Sequence, residues 1–375
     1  MVVGNMPHAL SQTIDTVEAF LVSVPLATPL RVFGNTISAR EFVIVRVMAG
    51  GKVGTGFGLT RGMPLDLVVE RQIAPLVMNQ PAGAIRSIWD AARTSVRMVG
   101  EGGAFARALA AVDIALWDLH GHLLDAPLWR LLGGKHASIP CLAICGYYRT
   151  DDPVGAVRRD TERLSAAGYT RFKIPFGADS ELDHKRLAAF RDVVGSAPLL
   201  ALDAGAAFNN VGAALRAWRQ AEQFDIAFLE DPFSASAWEL AAQLAQTHNV
   251  PVAFGESLAS PATLQWLGLP QGVGIVRPDA THQLGVTGYL QGVATALEHH
   301  TPVFPHYFPD LHAPLVGALG GMMIEESPPE ADTVGFAQLR AVQPSIQNGV
   351  WHLNDRPGFG IVWDDDAVQS FRVTQ

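Results

Sequence analysis

Four acids recur at regular intervals in this 375-residue chain, each closing a short apolar run: Asp203 after LLAL, Glu230 after IAFL, Glu256 after PVAFG and Asp279 after GIVRP. Their spacings of 27, 26 and 23 residues each match one strand-helix unit. In a parallel barrel, all four carboxylates then reach the rim at the C-terminal ends of the strands. A single acid at a strand end is usually a helix cap or a turn residue, but four in successive units call for a common cause. Clustered carboxylates repel unless a cation sits among them, and three oxygen donors on rigid strands suit a hard divalent ion, most naturally Mg²⁺. Asp203, Glu230 and Glu256 are the evenly spaced three. His306, in TPVFPHYF, follows Asp279 by another 27 residues. A neighbouring carboxylate orients an imidazole and raises its basicity, so Asp279 and His306 form a candidate base dyad.

Upstream, YTRFKIP puts Arg171, Lys173 and Pro175 on one face of a strand. A lysine inside a barrel pairs with acids, which makes Lys173 either a structural counter-ion or an active-site cation. Glu325 and Glu326 close the last short apolar run, and only one of them can face inward. Other motifs are weak. GTGFG lacks the dinucleotide fingerprint and no P-loop is present. GESLA nearly matches a nucleophile elbow, but a serine hydrolase using Ser257 would have no His-acid pair outside the ladder. His299 and His300 close an expected helix, and His312 falls on a helix face.

These residues need elements to position them. Apolar residues make up 49% of the chain and charged ones 17%, enough for a large core. A net charge of -9 without a basic run makes nucleic acid an unlikely partner. Cys141 and Cys145 are too few for a disulfide framework or a four-ligand zinc site. No secretory signal and no apolar run of membrane-spanning length is evident, so a cytoplasmic protein without a membrane partner is the expectation. The first third reads as α+β. TVEAFLVSV and EFVIVRV are strands around a loop, GGKVGTGFG is a second loop, residues 64–80 and 84–99 are helices, and FARALAAVDIALWDLHGHLL is a long helix. Beyond LLGGKHA, eight runs (PCLAIC, YTRFKI, LLALD, IAFLE, PVAFGE, GIVRPD, TPVFPH and GMMIEE) alternate with helical stretches. That pattern means a parallel sheet, and eight strands suit a closed barrel better than a doubly wound sheet.

The chain resembles the mandelate racemase subgroup of the enolase superfamily. The resemblance is carried by ALAAVDIALWDLHGHLLDAPLWRLLGG, the acids of LALDAG, FLEDP and FGES, RPDATHQLGVTG, FPH and MMIEE. It implies an α+β capping domain over residues 1–130, a (β/α)7β TIM-like barrel over 131–344, and a segment 345–375 packed back on the cap. It further implies Mg²⁺ held by Asp203, Glu230 and Glu256, the Asp279–His306 base, and Glu325 hydrogen-bonded to the substrate carboxylate. Loops 23–36 and 51–62 would close over the substrate, with Arg31, Asn35, Thr60 and Arg61 as possible contacts to distal hydroxyls or a second carboxylate. A homo-oligomer is expected. One departure stands out: the family's KxK pattern aligns Lys173 with its first lysine and Pro175 with its second, and pairing Arg171 with Lys173 instead needs a shifted register. Racemisation requires a group on each face of the planar intermediate, and Pro175 offers none. Dehydration of an acid sugar is therefore the expected reaction. The alternatives are a racemase or epimerase of a 2-hydroxy acid, or a metal-binding protein with impaired catalysis.

Overall fold

The computed structural model describes residues 8–32, 35–134, 136–148, 152–326 and 333–374. The chain begins with an antiparallel sheet of β1 (Ile14–Val32), β2 (Asn35–Ala49) and β3 (Lys52–Leu59). The strands extend well into the expected loops. β1 stays paired to β2 as far as Val32 opposite Asn35, and a register shift between Pro25 and Leu30 absorbs the prolines. Residues 33–34, and the side chains of Arg31 and Asn35, lie outside the description. Gly50 and Gly51, both at positive φ, make the tight β2–β3 turn.

The expected loop GGKVGTGFG is mostly strand, and its glycines have a packing reason. A Cβ at Gly54 or Gly56 would collide with the backbone of Ala111, Ala115 or Leu119 on the helix above. Three short pieces follow the sheet: α1 (Leu65–Val68), a π-helical turn (Val69–Ile73) and α2 (Ala74–Val77). Then come α3 (Ile85–Ser95) and the long α4 (Gly103–Leu123), which lies directly on β3. The short α5 (Leu128–Leu131) leads into the second part of the fold.

There, β4 (Ser138–Ile144), β5 (Arg171–Pro175), β6 (Leu199–Asp203), β7 (Ile226–Glu230), β8 (Val252–Phe254) and β9 (Ile275–Val276) pair in parallel, each with the next. The helices between and beyond them are α6 (Pro153–Ala166), α7 (Ser180–Val194), α8 (Val211–Ala221), α9 (Trp238–His248), α10 (Pro261–Leu267), α11 (Gly285–Glu298) and α12 (Pro309–Leu319). TPVFPH, expected as a full strand, contributes a single bridge from Val303 to Val276, and Val303 in turn accepts the Met322 N–H. β10 (Ile324–Glu326) then pairs with β4. This closes the sheet and excludes the doubly wound alternative. Leu142, Ala201, Phe228, Ala253, Ile275, Phe304 and Met323 form one apolar cluster, while most of the remaining strand side chains pack outward under the helices. Asp152, Asp179, Asn210 and Ser260 cap helices, so many of the chain's polar residues serve only local structure.

α4 is apolar on nearly every side because it is covered twice, by β3 and by α11. On the α11 side, Asp113 accepts the Thr287 N–H at 2.8 Å and the Thr287 hydroxyl at 2.7 Å, and Trp117 Nε1 donates to that hydroxyl oxygen at 2.9 Å. Downstream, the hairpin β11 (Ser345–Gln347) and β12 (Val350–His352) adds to the start of β4. After α13 (Asp365–Ser370), Arg372 bridges Val22 of β1. Among the described residues no helix is long and apolar enough to cross a membrane.

Candidate active site

The barrel interior changes character two residues above its apolar layer. Side chains alternate along a strand, so where Ala201, Phe228, Phe304 and Met323 line the interior, Asp203, Glu230, His306 and Glu325 come next on the same face. Ile275 is likewise followed by Arg277. Gly255 breaks the pattern after β8 with a φ of 133°, and Glu256 arrives one residue later at the same rim.

The acids are held by two buried cations. Lys173 Nζ lies 2.7 Å from Glu230 Oε1, 2.9 Å from Glu325 Oε2 and 3.4 Å from Asp203 Oδ2. Arg277 Nη2 lies 2.6 Å from the same Glu230 oxygen, 2.5 Å from Glu325 Oε2 and 3.7 Å from Glu256 Oε2. Its Nη1 donates to the carbonyls of Phe304 and Pro305, immediately before His306. Burial opposes charge on Lys173, Arg277, Glu230, Glu256 and Glu325. The carboxylates nevertheless raise Lys173 and Arg277 above their ordinary values, and the two cations hold Glu325 down at about 2. Arg171 sits at the other end of β5, against Thr170, so the shifted pairing of Arg171 with Lys173 does not occur. Glu326 points away from Glu325 and accepts the Tyr169 hydroxyl at 2.6 Å.

His306 Nδ1 meets Asp279 Oδ2 at 2.9 Å, and its Nε2 faces Glu256 Oε2 at 3.4 Å. Burial holds the imidazole below its ordinary value, against the pull of Asp279. Burial is the largest single influence on the Asp279 carboxyl and pushes it up, but the hydrogen bond and charge of His306, with His312 and the Thr281 hydroxyl, together outweigh it and keep Asp279 well below the usual carboxylate range. The other Asp279 oxygen accepts the Thr281 N–H and hydroxyl. His312, buried in α12, accepts the Ala280 N–H on Nε2 and approaches the Tyr307 carbonyl with Nδ1 at 2.6 Å. It thereby ties together the two backbone segments that carry the dyad. The Tyr307 ring stacks on His306 with centroids 4.2 Å apart, and Tyr147 hydrogen-bonds Tyr307 and Thr333 beside Glu325. Tyr148 is turned elsewhere, donating to Asp183.

Among the described residues, no three acid, histidine or cysteine side chains surround a common point closely enough to hold an ion as they stand. Asp203, Glu230 and Glu256 lean instead on Lys173 and Arg277. Their chemistry still fits a hard cation. Glu230 Oε2 is buried without a hydrogen-bond partner, and the side chains of Asp203 and Glu256 remain 31% and 22% exposed. Burial first, and then mutual repulsion with Asp231 and Asp203, pushes Glu256 well above its ordinary value. Two cations therefore leave negative charge at this rim that a divalent ion would neutralise.

Arg277, His312 and Tyr147 complete the site beyond the ladder itself. Arg277 lies two residues before Asp279, so strand alternation alone was a signal for it. Thr60 is structural: its hydroxyl donates to Glu41 Oε1 at 2.6 Å. Ser257 lines the cleft at the dyad, but His306 Nε2 faces Glu256.

Residues 15–133 match the sequence family described as the mandelate racemase / muconate lactonizing enzyme N-terminal domain, and residues 156–367 match the enolase C-terminal domain-like family. The chain is 28% identical over 335 residues to an arabinonate dehydratase of Saccharolobus solfataricus, covering 86% of this chain and 88% of that one. It is also 28% identical over 368 residues to a 3,6-anhydro-alpha-L-galactonate cycloisomerase of Streptomyces coelicolor, covering 96% and 99%. Among solved structures, an L-talarate dehydratase from a Polaromonas species, complexed with Mg and L-glucarate, superposes with a TM-score of 0.87 at 25% identity, covering 97% of this chain and 98% of that one.

Proposed function

Since the chain belongs to the mandelate racemase / muconate lactonizing enzyme family of the enolase superfamily, we propose that it dehydrates an acid sugar to a 2-keto acid. The observation that carries this reading is the asymmetry of the site. His306 is oriented by Asp279 at the rim, and Pro175, which the resemblance aligns with the second lysine of KxK, ends β5 beside Asp203 with neither acid nor base to offer. His306 Nε2 takes the proton from the carbon beside the carboxylate, and as imidazolium returns it to the departing β-hydroxyl, which leaves as water. The resulting enol tautomerises to the keto acid. Lys173 has its N–H groups committed to Glu230, Glu325 and Asp203, so it serves as a fixed positive charge and not as a base. The resemblance assigns Glu325 to the substrate carboxylate, and a hydrogen bond there requires Glu325 to take up a proton that Lys173 and Arg277 keep off it in the absence of substrate.

Asp203, Glu230 and Glu256 would hold Mg²⁺, which when bound supplies positive charge to the carboxylate oxygens as the proton leaves. In this division of labour, residues 1–130 cap the rim and 131–344 carry the chemistry; of 345–375, expected to pack back on the cap, the hairpin Ser345–His352 adds instead to β4 of the barrel, and Phe371–Val373 reach β1 of the cap. The dehydratase names of the sugar-acid relatives support the reaction type. The test is incubation with candidate sugar acids in D₂O, following product and recovered substrate by NMR. Keto acid is the expected product; recovery of the opposite C2 epimer with no keto acid overturns the reading.

A further inference from the structure

A narrow cleft leads from the dyad toward the cap, lined by Glu256, Asp279 and His306 below and by Arg61 and Arg107 above. Arg61 follows β3 in a turn fixed by Thr60, whose hydroxyl oxygen accepts the Gly62 N–H while its carbonyl accepts the Met63 N–H. The turn holds Arg61 at a φ of 54°, an unfavourable conformation for any residue that carries a Cβ. Arg107 comes from the first turns of α4. Its one hydrogen-bond partner among the described residues is His282, with Nη2 lying 3.0 Å from Nδ1. Burial and the Arg107 charge push His282 down to about 3, so the ring stays neutral and accepts.

Among the described residues, then, neither arginine has a carboxylate partner, although carboxylates crowd the floor of the same cleft. Asp279 is committed to His306 and Thr281, and Glu256 to His306 and Arg277. A guanidinium carries five N–H donors in a planar fork that matches a carboxylate. Burial also weakens the hold of Arg107 on its proton, and an anion would relieve that cost. As it stands the cleft has about 20 Å³ of room, enough for one water, and Arg61, which lines it, is exposed to solvent.

We infer that Arg61 and Arg107 form a subsite for a second anionic group on the substrate, with His282 positioning Arg107, so that the preferred substrate class is a sugar diacid. This rests on the proposed dehydratase reading, because it assumes that the reacting carboxylate lies at Glu325 while the far end of the chain lies at the cap. The test separates the two. In the Mg²⁺-loaded His306→Asn variant, calorimetry measures binding of galactarate, glucarate and mannarate, each beside galactonate, gluconate or mannonate. The diacids should bind at least about 10-fold tighter than their monoacid counterparts, the scale of one charge-assisted pair. Adding Arg107→Gln or Arg61→Gln should erase that preference, and Arg107→Lys should restore part of it. Equal binding of the two classes, an unchanged ratio in the Gln variants, or no binding of either class overturns the subsite. Diacid preference in the variant without keto-acid formation by the wild type keeps the subsite and overturns the dehydratase reading.

Discussion

Arg277 places one guanidinium between Glu230, Glu325 and the Phe304 and Pro305 carbonyls that lead into His306. In the proposed reaction a single planar cation thus fixes the distance between the carboxylates assigned to charge stabilisation and the histidine assigned to proton transfer. Arg277→Met should lower kcat more than it raises KM, because the Phe304 and Pro305 carbonyls lose their donor and His306 loses its fixed height. It should also cost about 3–5 kcal/mol of stability, since Glu230 and Glu325 are left buried with Lys173 alone. Thermal unfolding and steady-state kinetics check both effects, and an unchanged kcat in a folded variant would remove the positioning role. The acid ladder was legible in the sequence because one strand-helix unit has a nearly constant length, which puts successive strand ends at one rim. Arg277 was less visible because nothing in one sequence tells how far the chain keeps its alternation past a strand of only two hydrogen-bonded residues. Arg107 was hidden for a different reason: in FARALAAVDIALW it reads as the polar side of a helix.

Strand β3 and helix α4 show where the pattern of elements misleads. Glycine is poor in strands, so GKVGTGFG reads as loop, yet Gly54 and Gly56 sit in a strand because α4 comes down on its backbone. The expected first loop failed similarly, since prolines are accommodated where a strand shifts register. The opposite face of α4 carries Asp113, whose carboxyl burial pushes up to about 7 despite the Thr287 hydrogen bonds. A carboxyl whose folded value exceeds its unfolded one binds protons more tightly in the folded state. Its stabilising contribution is therefore complete below about pH 4 and lost as pH rises toward 7. Asp113→Asn should flatten that slope, leaving the variant relatively more stable at pH 8 than at pH 5, by on the order of 2–4 kcal/mol at the upper bound. Melting temperatures of both proteins across that range decide it, and parallel curves would mean that Asp113 keeps its charge when folded.

At the scale of the molecule, the cap and barrel are joined through side chains next to the reactive rim and through strands remote from it. A bound ion among the rim acids should therefore stabilise the whole fold. Mg²⁺ at about 100 times its dissociation constant adds about 2.7 kcal/mol, visible as a rise in melting temperature. Asp203→Asn, Glu230→Gln and Glu256→Gln should each shrink that rise, and the same rise in all three variants would place the ion elsewhere. The edge of the cap has a further consequence for how the protein is made. β1 is paired on one side by β2, and on the other by Phe371 and Val373, whose backbone bonds to Ser23 and Leu21. Those partners leave the ribosome roughly 350 residues after β1, a delay on the order of half a minute at ~5–20 residues per second. Through that interval the nascent cap presents an open strand edge, and Pro25, the register shift beside it and the charged Glu18 are what keep that edge from pairing with a neighbouring chain.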